Sequence, residues 1–233
     1  MCTVILWRGE GRCALAANRD ERLDRAWDPP GRFWPGITGG RDRAAGGTWM
    51  AMNAAGVVAA VLNRPGTLGP AAGKRSRGEL PLVALGGADA AAAADRIAAL
   101  PAGEWRPFHL VVADAGRAFF LKGLGEGRPA AQELGEGVSM VTAHPPNDPA
   151  SPRTARHLPR FRAAAPPRPG DWGAWPALLA DGGGRTEEAL NVPPLGGFGT
   201  VCASLVMLAP GGAEWLFAPG PPDRTAFAPV PLG

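Results

Sequence analysis

Short apolar runs alternate with glycine-rich turns along this chain, and its helical stretches fall into two pairs. That pattern limits the folds open to it. Residues 3–7 and 13–17 read as strands joined by the five-residue connection Arg8-Gly9-Glu10-Gly11-Arg12. Residues 47–53 and 57–62 form a second hairpin across Ala54-Ala55-Gly56. Strands return at 108–113, 118–122 and 138–142, with Asp114-Ala115-Gly116-Arg117 as a turn. The last pair is 199–208 and 214–218, across Pro210-Gly211-Gly212. Residues 22–46, holding Asp28-Pro29-Pro30-Gly31 and Gly39-Gly40, read as a surface loop. The first helix pair is 80–85, entered through a capping-box-like Ser76-Arg77-Gly78-Glu79, and the Ala-rich 88–100, stopped by Pro101. The second is 151–164, with Pro152 at its first position, and a Trp-bearing helix over 172–180. Consecutive hairpins with grouped helices imply an α+β fold with a largely antiparallel sheet. No linker divides the chain, so residues 1–233 are expected to form a single domain.

Glycine (34) and proline (26) make up about a quarter of the 233 residues, close to the level at which a chain fails to order. Hydrophobic residues at 45% against 19% charged supply enough apolar surface to fold. Arginine dominates the basic residues, lysine occurring only at Lys74 and Lys122, and the net charge is +3. The arginines are scattered and tyrosine is absent, so no focused basic face with stacking aromatics marks a nucleic-acid partner. The longest apolar run, residues 54–62 broken by Gly56, is far short of the ~20 residues of a spanning helix. No targeting segment is evident at the start. Three cysteines, Cys2, Cys13 and Cys202, form neither a disulfide framework nor a metal pattern, which makes a cytoplasmic location the expectation.

Cys2 is the most informative residue. Removal of Met1, expected before a small second residue, would leave a thiol and a free α-amine on one residue. An amine of pKa about 7.7–8.0 is a usable base near neutrality, so nucleophile and base become adjacent. A hairpin centred on Glu10 pairs residues whose numbers sum to 20, which sets Cys2 opposite Asn18, with Asp20 on the same face and Arg19 pointing away. A slip of one residue would exchange the two faces.

Met1-Cys2-Thr3, Asn18-Arg19-Asp20-Glu21, Gly46-Gly47-Thr48-Trp49, Asn53, Asn63-Arg64-Pro65, Ser76-Arg77-Gly78, Pro107-Phe108-His109-Leu110 and Phe198-Gly199-Thr200 occur in that order. This set resembles the NRDE family, that of transport-and-Golgi-organisation protein 2. The resemblance implies a fold like the N-terminal-nucleophile (Ntn) hydrolases, a four-layer αββα sandwich. A more distant similarity is to the choloylglycine hydrolases and penicillin V acylases, amidases that begin Met-Cys-Thr and carry Arg-Asn-x-Asp at the end of the second strand. Cys2, Asn18 and Asp20 match that pattern, whereas Ala17 stands at the Arg position and the arginine is Arg19. The same similarity implies that Asn63 helps form an oxyanion hole. Two departures alter the pattern: Ala143 and His144 stand in a Thr-Asn-Asn-Pro segment, and Leu205 stands where a late arginine is expected.

Together these imply an N-terminal-cysteine hydrolase acting on a small amide or acyl substrate. Cys2, Asn18, Arg19, Asp20 and Asn63 are its candidate catalytic residues, and Trp49 and His144 the candidates for touching substrate. Trp49, after Gly46-Gly47, reads as core packing ahead of a ligand platform. His109, His144 and His157 have no metal-site spacing, so no metal is expected. Arg153, Arg156, Arg160 and Arg162 read as a solvated helix face. No cofactor is required; the resemblance also admits a non-catalytic protein that carries haem or an acyl lipid on the same fold.

Overall fold

The computed structural model describes residues 2–232. Six strands come first: β1 (Thr3–Gly9), β2 (Arg12–Arg22), β3 (Trp27–Trp34), β4 (Ile37–Asp42), β5 (Met50–Asn53) and β6 (Val58–Asn63). Helices α1 (Glu79–Ala84) and α2 (Ala90–Ala98) follow, then β7 (Phe108–Ala113), β8 (Ala118–Gly123), β9 (Ala130–Glu133) and β10 (Gly137–Val141). After α3 (Pro152–Ala163) and α4 (Trp175–Leu179) come β11 (Phe198–Ala209), β12 (Gly212–Ala218) and β13 (Ala228–Pro229).

The chain divides into two compact units, residues 2–25 with 136–232, and residues 26–135. The first holds a six-stranded antiparallel sheet in the order β10-β1-β2-β11-β12-β13. One face, carrying Ile5, Ala16, Leu205 and Met207, packs against Leu158 and Phe161 of α3 and Trp175 and Leu179 of α4. The second holds a seven-stranded antiparallel sheet in sequence order from β3 to β9. There Ala59, Leu110, Val112 and Leu121 pack with Leu80 of α1 and Ala93 and Ile97 of α2.

Two helix starts follow their sequence signals. Ser151 Oγ accepts the Thr154 N–H ahead of Pro152, and Asp89 accepts the Ala92 N–H at the head of α2. The expected capping box at α1 does not form. Its N-cap is Gly78, with no side-chain cap, and Ser76 Oγ instead accepts the Gly78 N–H at 3.2 Å. The stretch read as a loop contains the β3–β4 hairpin. Prolines 29 and 30 mask its pattern, yet they are tolerated because β3 is an edge strand with irregular register. Strand β9 has no apolar signal either: its side chains are exposed and it is held by main-chain pairing to β8.

The first hairpin corrects the expected register. Its turn is the two residues Glu10 and Gly11, with φ of 52° and 70°, so Gly9 pairs with Arg12 and partner numbers sum to 21. A tight turn with two left-handed residues matches the strand twist and excludes the five-residue connection.

Gly47 lies where the chain approaches itself closely. A Cβ there would fall onto the main chain of Gly78, and the Thr48 N–H donates to the Gly78 carbonyl at 2.9 Å. Gly47→Ala is expected to destabilise the protein by about 1–3 kcal/mol in urea unfolding. A loss below about 0.5 kcal/mol would contradict the close approach.

Candidate active site

In an antiparallel ladder, opposed residues share a face. Thr3 opposes Asn18, and Ala203 opposes Asn18 from β11, so all three share the helix-packed face of Ile5, Ala16 and Leu205. Asp20, two residues on, lies on that face opposite Thr200. One more step of the β1–β2 ladder sets Cys2 against Arg19 on the other face, where Arg19 also opposes Cys202 across the β-bulge after Thr200. The expected neighbours are therefore exchanged. Arg19 shares the thiol's face, and Asn18 and Asp20 turn their side chains toward the helices.

Those side chains are held there, although Asn18 Oδ1 is buried with no hydrogen-bond partner among the described residues. Asn18 Nδ2 donates to the carbonyls of Leu179 at 3.0 Å and Leu190 at 2.9 Å, fastening β2 to the end of α4. The wholly buried Asp20 carboxylate accepts Thr200 Oγ–H at 2.7 Å on one oxygen and Arg153 Nη1 at 2.9 Å on the other. Arg153 Nη1 also donates to Thr3 Oγ1 at 2.7 Å. The Thr200 hydroxyl accepts the Val192 N–H at 2.7 Å, which leaves its proton for Asp20.

Cys2 is partly exposed, with Sγ 4.0 Å from the Asp20 carbonyl oxygen. Burial pushes its thiol above the ordinary range; the Asp20 charge adds to the rise, while the hydrogen bond to Asp20 and the Arg19 charge oppose it. Arg19 is 4% exposed and 3.9 Å from Glu21. Burial also raises the thiol of Cys202. The site thus holds a protonated thiol beside a buried cation, and ionising it requires a base.

The remaining candidates are placed by their own surroundings. Asn63 closes β6 opposite Phe108 in the second unit and is half-buried. Trp49, in the same unit, meets Trp27 edge-on at 5.7 Å and packs over Gly40. His144 is half-buried with Nδ1 3.7 Å from Asp148. Ala143 is buried, and Leu205 belongs to the core under α3 and α4. Among the described residues no group of three or more His, Cys, Asp or Glu could hold a metal ion. The arginine-rich face of α3 is not simply solvated. Arg153 is buried against Asp20, while Arg156 and Arg160 pair with Asp181 and Glu188. Arg153 had one available signal, its place in the first turn of a helix, where a cation opposes the helix dipole. Met1, whose removal the sequence reading requires, lies outside the described residues.

The family model described as Transport and Golgi organisation 2 matches residues 1–162. No curated protein sequence matches the chain. Among solved structures, the N-acylethanolamine-hydrolyzing acid amidase ortholog of Caenorhabditis elegans is 11% identical, with a TM-score of 0.62 over 99% of this chain and 100% of that one. Penicillin V acylase from Agrobacterium tumefaciens is 15% identical, with a TM-score of 0.60 over 94% and 83%. A single-residue variant of conjugated bile acid hydrolase from Clostridium perfringens is 12% identical, with a TM-score of 0.56 over 100% and 97%. At such identities the likeness shows the fold, that of the Ntn hydrolases. No helix among the described residues is long and apolar enough to cross a membrane.

Asn18→Ala leaves the Leu179 and Leu190 carbonyls without their donor. It is expected to destabilise the protein by about 1–3 kcal/mol in urea unfolding. A loss below about 0.5 kcal/mol would show that Asn18 does not fasten β2 to α4.

Proposed function

The chain belongs to the Transport and Golgi organisation 2 family, and from that premise we propose that it is an N-terminal-cysteine hydrolase of a small amide or acyl compound. The observation that carries this reading is the partly open Cys2 thiol at the head of β1, seated beside Arg19 and the Asp20 carbonyl. Similarity in fold to an acid amidase, a penicillin acylase and a bile acid hydrolase supports the same chemistry.

After Met1 is removed, the Cys2 α-amine takes the thiol proton as Sγ attacks the substrate carbonyl. The C–S bond forms and the carbonyl electron pair moves onto oxygen. Main-chain N–H groups around Cys2 are the proposed donors to that oxyanion, where one donor is worth about 2.7–4 kcal/mol. Collapse of the tetrahedral species breaks the C–N bond, and the ammonium on Cys2 gives its proton to the leaving amine. Water then enters by the same base and releases the acid from the thioester. Because burial keeps the thiol protonated, the reaction depends on this adjacent base. Asp20 supplies the negative charge that favours the ammonium, and Asn18 holds β2 in place. Arg19 balances charge beside Sγ or meets an anionic substrate group. His144 is a proposed substrate contact.

The test pairs intact-mass analysis with hydrolysis of N-acylethanolamines, penicillin V, glycine-conjugated bile acids and small acyl esters. Met1 is expected to be absent from the mature protein, and a thioester adduct should accumulate on Cys2. Cys2→Ala should lower turnover at least about 10³-fold. Retained Met1 or a fully active Cys2→Ala protein would overturn the mechanism. A haemin-induced Soret shift that disappears in Cys2→Ala, without hydrolysis of any substrate, would replace it with carriage of haem.

A further inference from the structure

Arg153 sits where electrostatics alone would not put it. It lies in the first turn of α3, where the helix dipole repels a cation, and its side chain is only 5% exposed. Its neighbours explain the placement. One guanidinium nitrogen spends both its hydrogens, on Thr3 Oγ1 at 2.7 Å and on Asp20 Oδ2 at 2.9 Å. Thr3 directly follows Cys2 on β1, and Asp20 contributes the carbonyl that meets Cys2 Sγ. Thr200 closes the far side of the carboxylate from β11. A buried ion pair adds little net stability, so stability alone is a weak account of this one.

We propose that Arg153 is the positioning residue of the Cys2 site, clamping Thr3 and Asp20 from the helix side of the sheet and so fixing the seat of the thiol on the other side. The inference rests on the reading of Cys2 as the reactive group. Besides the chain's terminal amine, whose charge favours the thiolate, the charged and titratable groups acting on that thiol are Arg19 and Asp20 on β2 and Cys202 on β11. Arg153 reaches it through Asp20, by compensating a charge that otherwise disfavours the thiolate.

The experiment is the pH dependence of iodoacetamide alkylation at Cys2, followed by peptide mass in the full chain. This reads thiolate availability and needs no substrate. In Arg153→Gln the carboxylate loses its cation, and alkylation below the midpoint is expected to slow about threefold or more, equivalent to about half a pH unit. Arg153→Lys keeps the charge and should restore the wild-type profile. Leu158→Ala, a packing change on the same helix, should lower stability without moving the midpoint. A folded Arg153→Gln protein with the wild-type profile overturns the proposal, as does an equal slowing in Leu158→Ala. Should Arg153→Gln fail to fold, the double variant Asp20→Asn/Arg153→Gln removes both charges together. It should alkylate at least as fast as wild type, and slower alkylation overturns the proposal. Absence of hydrolysis with the expected alkylation pattern refutes the hydrolase reading alone, and active hydrolysis with an unmoved midpoint refutes the clamp alone.

Discussion

The two-residue turn at Glu10 and Gly11 governs the candidate site. Both residues hold positive φ, which closes β1 on β2 with no slack and sets Gly9 against Arg12. Because side chains alternate along a strand, that one choice decides the face of every residue up to Arg22. It sends Asn18 and Asp20 toward the helices and turns Arg19 to the side of Cys2. A turn longer by one residue would place a carboxylate and a carboxamide beside the thiol, and the chemistry of the site would differ.

The second constraint is charge. Asp20 is completely enclosed, and an enclosed carboxylate is tolerable only with partners for both oxygens. Thr200 from β11 donates to one oxygen and Arg153 from α3 to the other, and Arg153 also donates to Thr3 on β1. Asn18, two residues earlier on the same face of β2, does comparable work with neutral bonds to α4 and the Leu190 carbonyl. The helix side of the sheet is therefore structural support. The other face carries the partly exposed thiol beside the buried Arg19 and Cys202.

Much of this was legible in the sequence. Ser151-Pro152 marked α3, Asp114 to Arg117 marked the β7–β8 turn, and alternating runs marked most strands, because each signal is local. The N-terminal Cys2 and the Asn18-Arg19-Asp20 segment were also visible, and with them the fold. What was not legible depended on pairing. Edge strands β3 and β9 lack an apolar pattern because they bury little or carry proline. The register was hidden because Arg8 to Arg12 holds only charged residues and glycine, and polarity does not reveal which two residues take left-handed backbone. Arg153 reads as solvated from sequence because its partner lies 133 positions away.

The register itself is open to direct observation. In isotope-labelled protein, a two-residue turn predicts close Hα–Hα contacts between Leu6 and Leu15 and between Val4 and Ala17, seen as nuclear Overhauser cross-peaks. Cross-peaks from Leu6 to Ala14 and from Val4 to Ala16 instead would move Asn18 and Asp20 to the thiol's face and contradict the arrangement described.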